Sequence, residues 1–246
     1  MSTRYPRTAV LLFILPAHLD AARKRLAIGQ RASESKGTLR NRAFWVAMQQ
    51  LAVAKVRAAG LTCVHSTEIV STTDYSAPFG AQLSNAVQAV LTKGFDQVIV
   101  IGNDCPDLRV SDLRAAANAL THGQLPVGYD QRGGVFLFGL DQRILENRPA
   151  HLLANLPWQT PQLGASLANF LSNSFDGVMT LSAIRTDWNN RSDLRSGVWL
   201  SGAFSSLAHK IWVLIVTAWG PFNTLVYRSI NKATHSYGLR APPASC

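Results

Sequence analysis

The chain lacks the short motifs that mark several common enzyme classes. It contains no HExxH, GxSxG, GxxxxGK[ST] or GxGxxG string. Zinc proteolysis, α/β-hydrolase chemistry, P-loop hydrolysis and dinucleotide redox chemistry therefore lose their usual sequence support.

Cysteine is also scarce. Cys63, Cys105 and Cys246 are widely separated and odd in number, so neither a disulfide framework nor a CxxC zinc site is indicated. The six histidines are scattered without metal-ligand spacing. We expect a cytoplasmic protein, and we interpret the apolar run at residues 8–15 as a buried strand, because no small-residue cleavage site follows it.

Acidic residues are outnumbered, with 14 Asp and Glu against 24 Lys and Arg and a net charge of +10. This excess suggests an anionic partner. The basic residues lie mainly toward the two ends, whereas the middle of the chain is acidic. That distribution favours a nucleotide- or metal-handling centre over a continuous nucleic-acid-binding stripe, so we expect no nucleic-acid partner.

Strand-like and helix-like segments alternate along the chain. The predicted strands cover residues 8–15, 61–69, 96–102, 125–130 and 133–140, with a last one starting at 178. The predicted helices cover residues 20–27, 41–59, 79–94 and 110–121, with another starting near 161. This alternation predicts an α/β fold with a mostly parallel sheet, helices on both faces and a ligand site beyond the carboxyl ends of the strands.

The sheet domain is expected to cover residues 8–195, and residues 196–246 form an aromatic, basic extension. His209 and Lys210 interrupt its apolar run, which is short for a transmembrane span. Three alternatives stay open for this extension: a helix packed on the core or on a second subunit, an interfacial membrane helix, or a true span. The extension could accordingly mediate either self-association or peripheral membrane contact.

The string VIVIGNDCPDL carries the strongest chemical signal. A β-branched run delivers Asn103 and Asp104 at the end of a strand, and Asp107 follows after Pro106. One or two such carboxylates suffice for a divalent cation that bridges two phosphates. A turn or helix-cap role is the alternative for both acids.

Other candidates surround this string in the sequence. Lys24 and Arg25 lie in a basic cluster that could neutralise a diphosphate, unless the cluster is only a solvated face. Asp130 precedes Gly133 and Gly134, which suit either a tight turn or close approach to a sugar. Asp187 follows the last predicted strand and could be a metal ligand or a helix cap.

The order of the strings PFGAQLSNAVQAVLTKGFDQVIVIGNDCPDL, GYDQRGGVFLFGL, LPWQT and TDWNNRSDL resembles a bacterial domain-of-unknown-function family described as glycosyltransferase-A-like, some members of which are assigned to arsenosugar biosynthesis. The resemblance covers about residues 8 to 195. It implies a Rossmann-like, three-layer nucleotide-diphospho-sugar transferase fold, a nucleotide-sugar ligand, and Mg²⁺ or Mn²⁺ near Asp104.

The sequence departs from this family in two places. Arg132 stands where the family has an acid before the two glycines, and LPAHLDAARKRL replaces a Lys-Ala-Pro and glycine loop. Either Asp130 substitutes for that acid, or Arg132 contacts a phosphate in a site with less metal, or catalysis is lost. The leading hypothesis is a metal-dependent glycosyltransferase; the alternatives are a nucleotidyltransferase and a degenerate nucleotide- or partner-binding protein.

Overall fold

The computed structural model describes residues 6–27, 34–70, 74–147, 150–172, 177–195, 200 and 202–219. Its centre is a six-stranded sheet. The strands are β1 Thr8–Leu12, β2 Thr62–His65, β3 Gln97–Ile101, β4 Leu125–Tyr129, β5 Val135–Asp141 and β6 Val178–Thr180. The helices are α1 Ala17–Arg23, α2 Glu34–Ala58, α3 Ser66–Ile69, α4 Phe79–Thr92, α5 Val110–Thr121, α6 Gln142–Asn147, α7 Ala150–Ala154, α8 Leu163–Ser172 and α9 Ser205–Trp219, with a 3₁₀ helix at Arg191–Arg195.

The sheet has the strand order β2-β1-β3-β5-β4-β6. β1 pairs in parallel with β2 and β3, and β4 pairs in parallel with β6. β5 is antiparallel to both of its neighbours, β3 and β4. The prediction of a mostly parallel α/β sheet is confirmed. Because β5 runs against β3, the first residues of β5 lie at the same sheet edge as the carboxyl ends of β1 and β3.

The core is built on β1 and β3, which are covered on both faces. Val10, Leu12, Ile99 and Ile101 are at most 1% exposed. The apolar faces of α4 and α5 pack against this cluster. Each fully buried side chain of this kind contributes about 1.5–3 kcal/mol. This core fixes the positions of the two strand ends that carry the candidate site.

A second apolar cluster joins α9 to α2. Phe44 of α2 stacks on Trp188 with ring centroids 6.4 Å apart, and Ile211 and Ile215 of α9 are buried in the same cluster. The described part of the C-terminal extension is therefore a helix packed on the core. Residues 220–246 lie outside the described residues, and a domain boundary at 195 stays a prediction.

Among the residues that the structure describes, no helix is long and apolar enough to cross a membrane. Peripheral membrane contact and self-association of the extension remain expectations.

Several predicted strands are shorter in the structure than the sequence indicates, including β1, which ends at Leu12. β2 ends at His65 because the Ser66 side chain bonds both the N–H and the carbonyl of Ile14, which starts the helical turn α3. β6 ends at Thr180, and beyond it the chain meets β4 through separate contacts: the N–H of Leu181 donates to the Val127 carbonyl at 2.8 Å, and Arg185 forms an isolated bridge with Asp130. Arg185 turns away to form a buried ion pair with Asp112 at 2.8 Å, which explains the irregular path.

Candidate active site

A cleft of about 460 Å³ opens at the sheet edge where β1 and β3 end and β5 begins. One half is charged, and its lining includes Asp20, Lys24, Asp104, Asp130, Arg132 and Asp187. The other half is aromatic, and its lining includes Phe13, Phe79, Phe136, Phe138 and Trp158. Clefts at the carboxyl ends of strands are the usual ligand sites of such sheets.

Asp104 is the third residue after β3 and is paired with a lysine. The Lys24 ammonium is 2.5 Å from Asp104 Oδ2, and both side chains are about a quarter exposed, 28% for Lys24 and 23% for Asp104. The Asp104 carbonyl accepts a hydrogen bond from the backbone N–H of Trp188 at 2.7 Å. The acid with the strongest sequence signal is therefore fixed at the cleft through both its backbone and its side chain.

Lys24 is held in place by its own backbone as well as by Asp104. Its carbonyl accepts hydrogen bonds from Asn41 Nδ2 and Trp45 Nε1, each at 3.0 Å. Its ammonium also donates to Asn189 Oδ1 at 2.6 Å. Burial alone would lower the pKa of Lys24, but the charge and hydrogen bond of Asp104, together with the charges of Asp187 and Asp20, outweigh burial and raise that pKa. Lys24 is therefore a preorganised cation at the cleft.

Asn103 connects Asp104 to α1. Its amide nitrogen donates to Asp20 Oδ2 at 3.1 Å, and both side chains are largely buried. Burial raises the pKa of Asp20 to about 6, partly opposed by the hydrogen bond from Asn103 and increased further by Asp104. Ionisation of Asp20 is therefore unfavourable, because it would add a poorly solvated negative charge near Asp104.

Asp187 follows the irregular segment after β6 and reaches the same charged half. Burial, and next the charges of Asp104 and Asp130, raise its pKa to about 8. Its Oδ1 is buried and has no hydrogen-bond partner among the described residues. An acid in this environment is available to a ligand that brings a donor or a positive charge.

The segment from Asp130 to Gly134 forms a tight turn into β5. Asp130 Oδ1 accepts the N–H groups of Arg132 at 2.6 Å and Gly134 at 2.7 Å. Gly133 has a φ of +82°, and a Cβ there would lie 2.6 Å from the Pro161 carbonyl oxygen. A Cβ on Gly134 would lie 2.5 Å from Asp130 Oδ2. The turn itself therefore requires both glycines, whether or not a sugar approaches them.

Arg132 lines the cleft but is bonded to protein groups. Its Nη1 is 3.1 Å from Asp193 Oδ1, and its Nη2 donates to the Asp187 carbonyl at 2.6 Å. These contacts tie the turn before β5 to the segment that carries Asp187. Arg132 thus positions this segment and places a fixed positive charge beside the carboxylates.

Two sequence candidates lie away from the cleft. Arg25 is exposed and does not line the cleft, although it directly follows Lys24. Asp107 is half-buried outside the cleft lining, where its charge acts on buried Lys55 and on Arg185. The structure brings together the other candidates, namely Lys24, Asn103, Asp104, Asp130, Arg132, Gly134 and Asp187 in the lining, with Gly133 behind it.

Sequence reasoning missed the aromatic half of the cleft. Phe136 and Phe138 alternate along β5, and Trp158 packs against both Phe138 and Phe79 with centroid distances of 5.8 and 5.7 Å. The alternation in GGVFLFGL could have marked one face of β5 as aromatic. Nothing in the local sequence could have placed Trp158 there, because it comes from a distant loop.

The carboxylates do not form a ready-made site for a divalent metal. Within the described residues, no group of three or more His, Cys, Asp or Glu side chains is arranged to hold a metal ion. Asp104 is paired with Lys24, Asp130 uses Oδ1 within its turn, and Asp107 lies outside the cleft lining. Of the predicted metal ligands, Asp104 and Asp187 line the same cleft but Asp107 does not, and the residues as arranged do not fit the expected Mg²⁺ or Mn²⁺.

The fold is that of the nucleotide-diphospho-sugar transferases. It is similar to a candidate nucleotide-diphospho-sugar transferase from Desulfovibrio desulfuricans G20, with a TM-score of 0.59 and 16% identity over 86% of this chain and 97% of that chain. Weaker likenesses include Rv0371c from Mycobacterium tuberculosis H37Rv, with a TM-score of 0.42 and 16% identity over 78% of this chain and 97% of that chain. Glucosyl-3-phosphoglycerate synthase from M. tuberculosis has a TM-score of 0.39 and 11% identity over 89% of this chain and 82% of that chain.

At these identities the likeness establishes the fold alone. Residues 38–160, half of the chain, match a family described as "Uncharacterized protein conserved in bacteria (DUF2064)". The chain belongs to this bacterial family, and the resemblance stated from its sequence is confirmed. No curated protein matches the chain.

Proposed function

We propose that this protein binds a nucleotide-diphospho-sugar in the cleft and transfers its glycosyl group to an acceptor. The observation that carries the proposal is the Lys24 and Asp104 pair at the carboxyl end of β3, inside a cleft of about 460 Å³. That volume suits a small-molecule ligand. The fold, shared with a candidate nucleotide-diphospho-sugar transferase, supports the same class of ligand.

In this proposal Lys24 binds the diphosphate. An ammonium has three N–H donors, and Asp104 and Asn189 accept two of them. The third can donate to a phosphate oxygen, and its charge stabilises the negative charge that develops on the leaving nucleoside diphosphate. Such a preorganised cation in a partly desolvated cleft is an effective source of electrostatic catalysis.

The carboxylates contact the sugar and the acceptor in this proposal. The hydrogen bonds at Oδ1 hold Asp130 rigidly, which leaves Oδ2 for a hydroxyl group. Asp187 Oδ1 has no hydrogen-bond partner among the described residues and can accept a hydrogen bond from a second hydroxyl group. Holding donor and acceptor in a fixed geometry supplies a large share of the barrier reduction in reactions of this type.

The aromatic half is assigned to the planar or apolar part of the ligand. Phe79 and Trp158 provide rigid surfaces that a nucleobase can contact without a large entropy cost. A divalent metal is left out of the proposal because Lys24 already neutralises Asp104.

A nucleotidyltransferase would use the same cation and cleft with a nucleoside triphosphate, and its product would be pyrophosphate. A binding protein without turnover would release neither product. The proposed glycosyl transfer is distinguished from both alternatives by its product, a nucleoside diphosphate.

A ligand screen tests the proposal. We expect nucleoside diphosphates and one nucleotide sugar to raise the melting temperature, since a ligand at 100 times its Kd stabilises a protein by about 2.7 kcal/mol. Lys24→Met should lose the shift, whereas Lys93→Met, which removes an exposed lysine at the end of α4, should retain it. Incubation of the stabilising nucleotide sugar with candidate acceptors should then release nucleoside diphosphate.

The absence of any nucleotide-dependent shift in the wild-type protein would refute the proposal. Release of pyrophosphate from a nucleoside triphosphate would replace it with nucleotidyl transfer. Nucleotide binding that is equally strong in Lys24→Met would mean that the nucleotide binds at a site that does not include Lys24.

A further inference from the structure

The cation beside the strand-end acid is part of the chain itself. In the described residues, the Lys24 ammonium contacts Asp104 Oδ2 at 2.5 Å and Asn189 Oδ1 at 2.6 Å, so it occupies the space next to both oxygens. Mg²⁺ needs near-octahedral oxygen ligands at about 2.0–2.1 Å, and these two oxygens already face an ammonium. A divalent ion at Asp104 would have to displace Lys24 or lie next to its charge.

We propose that Lys24 takes the place of the divalent metal that the sequence resemblance implies, and that the cleft binds a diphosphate group without any metal ion. This deepens the proposed function, and its nucleotide part rests on that function. The statement about the metal rests only on the geometry of Lys24 and the carboxylates around it.

The anchoring of Lys24 supports the proposal. Its carbonyl accepts hydrogen bonds from Asn41 and Trp45 of α2, and its backbone N–H donates to the Asp20 carbonyl at 2.8 Å, so the side chain starts from a fixed point. Its ammonium is 5.8 Å from the centroid of the Trp45 ring. A surface lysine that pairs by chance with an acid would lack these constraints. The position of the ammonium is therefore built into the packing of α1 on α2.

Arg132 adds a second fixed cation to the same group of carboxylates. Its guanidinium bonds the Asp187 carbonyl and the Asp193 carboxylate. The charged half of the cleft thus has two anchored cations among its acids, and this arrangement lowers its attraction for a further divalent ion.

Metal binding is tested directly with Mn²⁺ alone, read out by the electron paramagnetic resonance signal of the free ion. We expect no binding by the wild-type protein at millimolar Mn²⁺. Lys24→Met exposes Asp104 to its acidic neighbours, so we expect it to bind Mn²⁺ at least about tenfold more tightly than wild type. Lys93→Met is the control for removal of a lysine, and Lys24→Met with Asp104→Asn should lose the gain.

The second arm measures nucleoside diphosphate binding to the wild-type protein by calorimetry, in EDTA and in Mn²⁺. We expect equal affinity in the two conditions. Because this comparison uses only the wild-type protein, it does not depend on the stability of Lys24→Met. Two results would overturn the proposal: Mn²⁺ binding by wild type that Asp104→Asn removes, or nucleotide binding that requires the metal. If no nucleotide binds in either condition, the proposed function fails, while the Mn²⁺ experiment still decides whether Lys24 excludes the metal.

Discussion

Asp20 should destabilise the folded protein when it is ionised. Its side chain is 9% exposed, and burial raises its pKa from 3.8 to about 6 in the folded state. The folded state therefore holds a proton that the unfolded state releases between about pH 4 and pH 6, so stability falls as the pH rises through this range. The difference of about two in pKa corresponds to about 3 kcal/mol above pH 6.

Asp20→Asn removes the charge and keeps an oxygen that can accept the hydrogen bond from Asn103. We expect the variant to be more stable than wild type by up to about 3 kcal/mol at pH 7.5, with the gain disappearing near pH 4. Urea unfolding across this pH range measures the difference. Asp74→Asn is the control, because hydrogen bonds from Ser76 lower the pKa of that exposed acid and no gain is expected. A gain that does not change with pH, or no gain, would refute the electrostatic argument. A stabilising substitution inside the cleft would also indicate that Asp20 is retained for function.

Three further predictions concern packing and charge outside the cleft. Arg185→Met should lower stability by about 3–5 kcal/mol in urea unfolding, because it leaves the buried Asp112 carboxylate without its bidentate partner; a loss under 1 kcal/mol would contradict this. Gly80→Ala should lower the melting temperature through a cost of about 1–3 kcal/mol, because its Cβ would lie 2.0 Å from a carbonyl oxygen of α7, whereas Gly177→Ala should be tolerated. Burial lowers the pKa of Lys55 from 10.5 to about 8. The stability of wild type relative to Lys55→Met should therefore rise by up to about 3 kcal/mol between pH 8 and 10.5. A stability difference that does not change with pH would refute that pKa shift.

The sheet was predictable because its central strands carry their own signal. The apolar runs of β1 and β3 are buried on both faces, and such strands read as continuous apolar segments in the sequence. Asp104 was predictable for the same reason, since the end of an apolar run marks the edge where ligands bind. The irregular path after β6 was not predictable, because the ion pair of Arg185 with Asp112 joins residues 73 positions apart.

The identity of the cation at the site could not be predicted from the local sequence. Lys24 and Arg25 are neighbours in a basic cluster, and the sequence offers no means of choosing between them. α1 ends at Arg23 and Lys24 has an extended backbone, which directs its side chain to Asp104, 80 positions away, while Arg25 stays exposed. The metal expected from the family resemblance depended on the same unknown, because only the folded chain shows that an ammonium lies beside Asp104.

The most direct measurement of the central claim is a calorimetric titration of wild type, Lys24→Met and Lys93→Met with a nucleoside diphosphate in the presence of EDTA. Wild type and Lys93→Met should bind with the same affinity, and Lys24→Met should lose at least about tenfold in affinity, as expected for the loss of a charge-assisted hydrogen bond. Equal affinity in all three proteins, or no binding by wild type, would contradict the claim that Lys24 and Asp104 form a nucleotide site.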